Sequence, residues 1–153
     1  MTFTIPSKFI VSKQIQTIAL LLILFFALVT KSWHLYFPKT YVFDEVYVGF
    51  TAEEYAKGNS KAWVWDYPTP KGFAYDWSHP PMGRLIMTPV IKLLGISSFS
   101  RRLVPMIAGV LITLVVYLLS KQLFPKQPPL WLTAAFLSTL DGLLLTMSRI
   151  SLD

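Results

Sequence analysis

The chain has 153 residues, of which 54% are hydrophobic and 14% are charged, a composition too apolar for an ordinary soluble domain of this size. It contains no cysteine, which excludes disulfide frameworks, thiolate metal sites and cysteine nucleophiles. The formal charge of +6 lies beside apolar runs rather than on one basic face, so lipid headgroups are a better counterpart than nucleic acid. These properties predict an integral membrane protein.

Three apolar runs are candidates for membrane-spanning helices. Residues 14–30 carry no charge and the apolar character continues to residue 37, which is long enough to cross a hydrocarbon core of about 30 Å. A secretory signal peptide is the alternative for this run, but its length and the lack of a small-residue cleavage site favour a retained helix. Residues 103–120 form a second uncharged run, and residues 128–148 form a third that only Asp141 interrupts.

Residues 82–96 are apolar but too short to cross the bilayer. Arg84, Thr88 and Lys92 recur every four residues and therefore form one polar stripe on a helix, which Pro89 is expected to kink. The pattern predicts an amphipathic helix in the membrane interface rather than a fourth crossing.

Three crossings give an all-α membrane fold with a defined topology. The prediction is a cytoplasmic tail (residues 1–13), transmembrane helix 1 (14–37), an extracytoplasmic loop with juxtamembrane helices (38–102), transmembrane helix 2 (103–120), a cytoplasmic turn (121–127) and transmembrane helix 3 (128–153). The lysines of the tail and the turn agree with a cytoplasmic location. Arg101 and Arg102 would lie on the outer side, where a phosphate would explain them. The apolar stretch before Asp153 is expected to continue in a longer protein, which would make the third helix truncated.

The predicted outer loop is rich in aromatic residues and contains an acidic pair. Residues 33–77 hold 14 of the 23 aromatic side chains, which either form a membrane-interface belt or provide a surface for sugar rings or an acceptor. Asp44 and Glu45 precede a helix-like segment. Asp44 either caps that helix or acts as a general base toward an attacking hydroxyl.

Two further groups of polar residues follow the acidic pair. His79 stands before two prolines that restrict its backbone, and no second histidine lies near it in the sequence, so no metal site is predicted. Arg149 and Asp153 are four residues apart and would share one helical face. They either form an ion pair or join the compartment that contains Asp44.

Four motifs, in this order, resemble successive signatures of the protein O-mannosyltransferase family. They are Phe43-Asp44-Glu45-Val46, His79-Pro80-Pro81-Met82-Gly83-Arg84-Leu85, Arg101-Arg102-Leu103, and Asp141-Gly142 followed by Ser148-Arg149-Ile150-Ser151-Leu152-Asp153. The matches cover the chain from about residue 42 to its end. Arg84 departs from the pattern, since many relatives carry lysine there.

The resemblance implies an inverting glycosyltransferase of the GT-C architecture, a polytopic helical domain whose active site faces away from the cytoplasm. The donor would be a dolichyl or polyprenyl phosphate mannose, and the acceptor a Ser or Thr hydroxyl of a protein. Asp44 would be the general base with Glu45 supporting it, and Arg102 would meet the carrier phosphate. The acceptor side would be supported by His79, Arg149 and Asp153.

The resemblance leaves several alternatives open. The chain could belong to a related polyprenyl-phosphate-sugar transferase with a lipid acceptor, or it could be an inactive, non-catalytic membrane fragment. A donor site of this architecture is built from several helices, so the catalytic assignments refer to a full-length parent protein. No cofactor is assigned, and a divalent cation stays open. The membrane would be the plasma membrane in a prokaryote or the endoplasmic reticulum in a eukaryote.

Overall fold

The computed structural model describes residues 12–151, and within that part of the chain all regular secondary structure is helical. The all-α fold predicted from the sequence is therefore confirmed for these residues, whereas the GT-C arrangement stays a prediction. The described α-helices are α1 (Lys13–Ser32), α2 (Val48–Ala56), α3 (Met82–Leu94), α4 (Ser98–Leu123), α5 (Pro128–Leu140) and α6 (Gly142–Met147), with 3-10 helices at Phe43–Val46 and Ser60–Trp63.

Helices α1 and α4 are long and apolar enough to cross a membrane. They contain 20 and 26 residues, which corresponds to about 30 and 39 Å of helix. Ser12 caps α1 by accepting a hydrogen bond from the backbone N–H of Ile15. Helix α1 ends at Ser32 rather than at the predicted residue 37, because His34 has a positive φ of 54° that a continuing helix does not permit.

The third predicted crossing is divided into two helices at Asp141. This residue has an extended backbone and accepts a hydrogen bond from the N–H of Leu144 at 2.6 Å, so it ends α5 and caps α6. Helix α5 contains 13 residues and is about 20 Å long, which is shorter than a bilayer core. Among the described helices, two rather than three therefore reach the length of a crossing.

Helices α2, α3 and α4 pack together at one end of α4. Val48 and Ala52 of α2 meet Met87 and Ile91 of α3 in a buried apolar cluster. A second cluster, at the other end of α4, holds Tyr117 against α5. Since α1 also packs against both α4 and α5, these three helices form the bundle that supports the rest.

Helix α3 is amphipathic in an unusual sense, because its buried face carries a charge and much of its exposed face is apolar. Arg84 is buried, whereas Leu85, Ile86 and Leu93 are exposed. Lys92 is exposed as well, so the polar stripe predicted from the sequence is split between two environments. Large exposed apolar side chains also cover α1 and α4, including Leu21, Leu22, Phe25, Leu111, Val115 and Leu118. Such surfaces are suited to lipid contact.

Candidate active site

Asp44 and Glu45 are adjacent in the sequence but occupy opposite environments. Both lie in the 3-10 helix Phe43–Val46, whose first residue has a positive φ of 52°. Glu45 is fully buried, whereas Asp44 is half-buried and lines two clefts. Within residues 12–151, the carboxylate of Asp44 has no hydrogen-bond or ion-pair partner. The acidic pair therefore consists of one engaged carboxylate and one free carboxylate.

Glu45 forms a two-point ion pair with Arg102 near the start of α4. Arg102 donates from Nε to Oε1 of Glu45 at 2.7 Å and from Nη2 to Oε2 at 2.8 Å. Glu45 also accepts hydrogen bonds from the backbone N–H groups of Val42 and Ser151, at 3.0 and 3.2 Å. This buried carboxylate thus joins the 3-10 helix, α4 and the segment that follows α6.

The other N–H groups of Arg102 are occupied by backbone carbonyls. Nη1 donates to Leu35 and Pro38, at 3.2 and 3.0 Å, and Nη2 donates to Thr40 at 3.3 Å. Together with Glu45, these partners engage all five donors of the guanidinium. A phosphate could bind Arg102 only if this network opened. The phosphate-binding role of Arg102 therefore stays a prediction, and the geometry favours a structural role instead.

Arg101 takes part in a second buried ion pair, which accounts for an arginine at this buried position. Its Nη1 donates to Oε1 of Glu53 at 2.5 Å, and its guanidinium lies 4.0 Å from the centre of the Tyr41 ring. Tyr41 in turn donates from its hydroxyl to Oε2 of Glu53 at 2.7 Å. Burial raises the pKa of Tyr41 above its ordinary value, and the bond to Glu53 adds to this effect. A Cβ at Gly49 would lie 2.8 Å from Cδ of Arg101, so α2 needs glycine at this approach.

Asp76 forms a third buried ion pair and also holds His79. Arg84 contacts Oδ2 of Asp76 through Nη1, and it donates from Nη2 to the carbonyl of His79 at 2.7 Å. Nδ1 of His79 lies 3.1 Å from both carboxylate oxygens of Asp76. The His79 side chain is nevertheless 54% exposed. Asp76 therefore fixes the imidazole while one side of the ring stays accessible.

Two clefts open beside Asp44, and both also contact Val48 and His79. The first has a volume of about 400 Å³ and is rich in polar and aromatic groups, with Tyr47, Tyr75, Asp76, Trp77 and Ser78 in its wall. The second has a volume of about 450 Å³ and runs along α4 and α6, with Phe43, Pro105, Ala108, Gly109, Ile112, Leu144, Met147 and Ser148 in its wall. Asp44 thus lies where the first cleft, which combines polar side chains with aromatic rings, meets a mostly apolar one.

Arg149 does not lie on the helical face predicted for it. Helix α6 ends at Met147, so the spacing argument that paired Arg149 with Asp153 does not apply, and Asp153 lies outside the described residues. Nη2 of Arg149 donates to the carbonyl of Trp33 at 2.5 Å, just beyond the end of α1. In this position Arg149 connects the segment after α6 to α1 and does not line either cleft.

Lys31 is a buried cation behind the second cleft. Its side chain is fully buried, and its Nζ has no hydrogen-bond partner among the described residues. Lys31 packs closely behind Gly109, which lines the cleft, since a Cβ added at Gly109 would lie 3.1 Å from Cε of Lys31. Within residues 12–151, no group of three or more metal-ligating side chains lies together.

The comparisons with known proteins place these features in a family. Residues 21–153 match the family model described as dolichyl-phosphate-mannose-protein mannosyltransferase. The chain belongs to this family. A search of curated proteins and a search of solved structures each gave no significant match. The family is membrane-embedded and consists of mannosyltransferases, so membership also supports the membrane fold and the glycosyltransferase class predicted from the sequence.

Sequence reasoning missed Glu53 and Asp76, the carboxylates that pair with Arg101 and Arg84. A signal was available, because an arginine next to an apolar run must be neutralised when it is buried. The sequence analysis instead explained Arg101 and Arg102 by a phosphate. Closeness along the chain could not have identified Glu53 as the partner of Arg101, since the two residues are 48 positions apart.

Proposed function

We propose that Asp44 is the general base of a mannosyltransferase that modifies Ser and Thr hydroxyls of proteins and uses a polyprenyl phosphate mannose as donor. The observation that carries the proposal is the Asp44 carboxylate, which lies at the junction of the two clefts and has no hydrogen-bond or ion-pair partner in the described part of the chain. A base must have an accessible lone pair within hydrogen-bond reach of the proton that it removes. The carboxylates of the three buried arginine pairs do not meet this requirement, because each of them is buried and already bonded to an arginine. They are Glu45, Glu53 and Asp76.

The proposed step is a single displacement with inversion at the sugar. The acceptor hydroxyl oxygen attacks C1 of mannose, and Asp44 takes the hydroxyl proton. The bond between C1 and the phosphate oxygen breaks, and the polyprenyl phosphate leaves with that electron pair. The first cleft is suited to the acceptor peptide because its wall combines aromatic rings with Asp76 and Ser78, while the mostly apolar cleft along α4 is suited to the carrier.

Glu45 acts in this proposal as a positioning residue. It cannot take the proton, because Arg102 and two backbone N–H groups occupy both of its oxygens. Its contacts hold the 3-10 helix against α4 and thereby fix the direction of the neighbouring Asp44. This division of labour supports the predicted roles of the acidic pair, with Asp44 reacting and Glu45 supporting.

Lys31 is the cation best suited to compensate the departing phosphate. The donors of Arg102 are saturated, whereas Nζ of Lys31 has no hydrogen-bond partner among the described residues. Lys31 does not itself line the mostly apolar cleft but packs directly behind Gly109, which does. A buried ammonium gains most from an anion that arrives in its low-dielectric surroundings. Lys31→Gln should then raise the KM for the donor and leave the KM for the acceptor unchanged.

The general-base role of Asp44 can be tested by measuring the transfer of mannose to an acceptor peptide by the full-length protein in membranes. Asp44→Asn should lower kcat about 100- to 10,000-fold, the usual contribution of a general base, without changing thermal stability. Asp66→Asn is the matched control, since it removes the same charge from the same loop at an exposed position outside both clefts. Turnover retained in the Asp44→Asn protein would overturn the assignment.

The same experiment separates protein from lipid acceptors. Mass spectrometry of the products should detect a hexose on Ser or Thr of the peptide. If mannose instead appeared on a lipid and no peptide were modified, the chain would function in the alternative class. The aromatic rings of the first cleft, together with the polar side chains of Asp76 and Ser78, support the peptide acceptor.

The proposed site faces away from the cytoplasm. Asp44 lies near one end of α4, and the lysines Lys13, Lys121 and Lys126 lie at the other end of the bundle. The short turn between α4 and α5 carries Lys121 and Lys126, which supports a cytoplasmic position for that end of the bundle and an extracytoplasmic one for Asp44. The loop on the Asp44 side also carries lysines, but charge in a loop of that length has little influence on topology.

A further inference from the structure

A separate cavity of about 430 Å³ lies between α1, α4 and α5, at the end of the bundle opposite Asp44. Helix α1 contributes its first two turns, α4 its last turns, and α5 its first turn. The cavity is lined by Lys13, Gln16, Thr17, Tyr117, Lys121 and Trp131. Nothing in the proposed transfer reaction uses it.

The cavity has a positive charge that no neighbouring carboxylate neutralises. Lys13 and Lys121 enter it from different helices, and neither has an ion-pair partner among the described residues. The sequence has no acidic residue in positions 12–40 or 98–140, which include every residue of α1, α4 and α5. Two convergent ammonium groups without a counter-charge make the cavity suited to an anion.

The back wall of the cavity is rigid. Tyr117 and Trp131 are buried and meet edge to face, with their ring centres 6.1 Å apart. Trp131 donates from its indole nitrogen to the carbonyl of Phe124 at 2.7 Å, which fixes the ring, and Nζ of Lys121 lies 5.6 Å from the ring centre. The aromatic wall is therefore preformed, while the exposed side chains of Lys13 and Lys121 would become ordered when a ligand binds.

The position of the cavity along the helices indicates which anion it takes. Lys13 is the first residue of α1, and Lys121 lies two residues before the end of α4. Both ammonium groups are therefore placed at the level where an apolar helix leaves the hydrocarbon. Phospholipid phosphates occupy that level. Basic pockets between membrane helices are known to bind lipid headgroups.

We propose that this cavity binds the phosphodiester of an anionic phospholipid headgroup. The two lysines contact the phosphate, and the acyl chains lie along the exposed apolar surface of the bundle. A bound lipid would hold α1 against α4 and α5, so it would stabilise the folded protein in proportion to its concentration.

The test is a titration of the purified full-length protein with short-chain phosphatidylglycerol, and in parallel with short-chain phosphatidylcholine, while thermal unfolding is followed. Phosphatidylglycerol should raise the Tm and phosphatidylcholine should not. Lys13→Gln/Lys121→Gln should weaken the apparent affinity for phosphatidylglycerol about 30-fold, from the attraction that two lysines provide. Lys13→Arg/Lys121→Arg should retain binding, which also shows that substitution at these positions permits folding.

Lys126→Gln is the matched control, because it removes the same charge from the same end of the bundle but does not line the cavity. An equal loss of affinity in Lys126→Gln would overturn the proposal in favour of a general charge effect. Inorganic phosphate supplies the last comparison. Stabilisation by inorganic phosphate equal to that by phosphatidylglycerol would overturn the lipid assignment and leave a site for soluble anions.

Discussion

The carboxylate of Glu45 and the guanidinium of Arg102 form a buried ion pair that connects the acidic motif to α4. Their two hydrogen bonds, at 2.7 and 2.8 Å, have the side-by-side geometry that strengthens arginine–carboxylate contacts. The two residues are 57 positions apart in the chain. Asp44, the neighbour of Glu45, is thus positioned by a contact that depends on the fold as a whole.

Removing one partner of this pair should destabilise the protein strongly. Glu45→Gln leaves a buried guanidinium without its counter-charge, and Arg102→Lys replaces the two-point contact with a single ammonium. Each change should cost about 3–5 kcal/mol of unfolding free energy, the usual penalty for breaking a buried pair. Thermal or denaturant unfolding in detergent measures the effect.

The same variants separate a structural Arg102 from one that binds the carrier phosphate. A structural Arg102 predicts that Glu45→Gln and Arg102→Lys lose stability together, and that the properly folded fraction keeps an unchanged KM for the donor. A direct phosphate contact predicts, besides the loss of stability, a raised KM for the donor in Arg102→Lys but not in Glu45→Gln. Arg149→Lys is a suitable control, since Arg149 is only partly buried and contacts a single carbonyl.

Tyr41→Phe should destabilise the loop through one lost hydrogen bond. The ring that lies beneath Arg101 stays, but Oε2 of Glu53 loses its donor. Leaving that buried oxygen without a partner should cost about 1–3 kcal/mol. Unfolding of this variant and of Tyr36→Phe, at an exposed tyrosine before the loop, gives the comparison. Equal losses in both variants would contradict the role of the Glu53 bond.

Tyr41 should also make the stability of the protein sensitive to high pH. Burial raises the pKa of Tyr41 in the folded state, so the folded protein retains the proton more tightly than the unfolded chain. The resulting stabilisation is complete below the ordinary pKa of tyrosine, about 10, and decreases as the pH rises from there through the folded-state pKa. The Tm of the wild-type protein should therefore fall more steeply above this pH than that of Tyr41→Phe.

His79→Gln should reduce use of the acceptor with little effect on folding. The imidazole is more than half exposed and lies beside Asp44, where the cleft assigned to the acceptor meets the one assigned to the carrier. The loss of one hydrogen bond to the substrate corresponds to about a tenfold rise in the KM for the acceptor peptide. The KM for the acceptor should rise more than the KM for the donor. A drop in Tm comparable to that of Glu45→Gln would instead assign His79 a structural function.

The sequence was sufficient to predict features that depend on local pattern. The long apolar runs of α1 and α4 predicted helices, and the short striped run of α3 predicted a helix of less than membrane-spanning length, as the structure has it. The motif that contains Asp44 and Glu45 could be recognised from its residues alone. In each case the relevant information lies within a few helical turns of chain.

Features that depend on distant partners could not be predicted. The environments of Asp44 and Glu45 differ because Arg102 approaches from α4, and no local property of two adjacent carboxylates reveals which one it meets. At Asp141 the chain could either continue as one helix or end α5 and begin α6 with the Asp141 side chain as its cap. Apolar periodicity is the same for both outcomes, so it predicted one helix where the structure has α5 and α6.

The approach of α4 to the segment after α6 depends on a glycine. A Cβ at Gly109 would lie 2.3 Å from Cβ of Ser148, which is closer than side-chain atoms can pack, and it would make a tight contact of 3.1 Å with Cε of Lys31. Ser148 is itself buried and bonded through Oγ to the carbonyl of Leu144 at 2.6 Å. Gly109 therefore permits the contact that closes the wall of the mostly apolar cleft.

Gly109→Ala should separate these segments and destabilise the protein by about 1–3 kcal/mol, as overpacking of a well-packed site does. Ser148→Gly in the same chain should recover part of the loss, because it removes the Cβ that the new methyl group meets. Gly142→Ala is the control, since a Cβ there contacts nothing within 4 Å; it should be neutral or slightly stabilising in a helix. Unfolding of the two single variants and the double variant gives the coupling energy, and additive effects would show that Gly109 and Ser148 are not in the contact described.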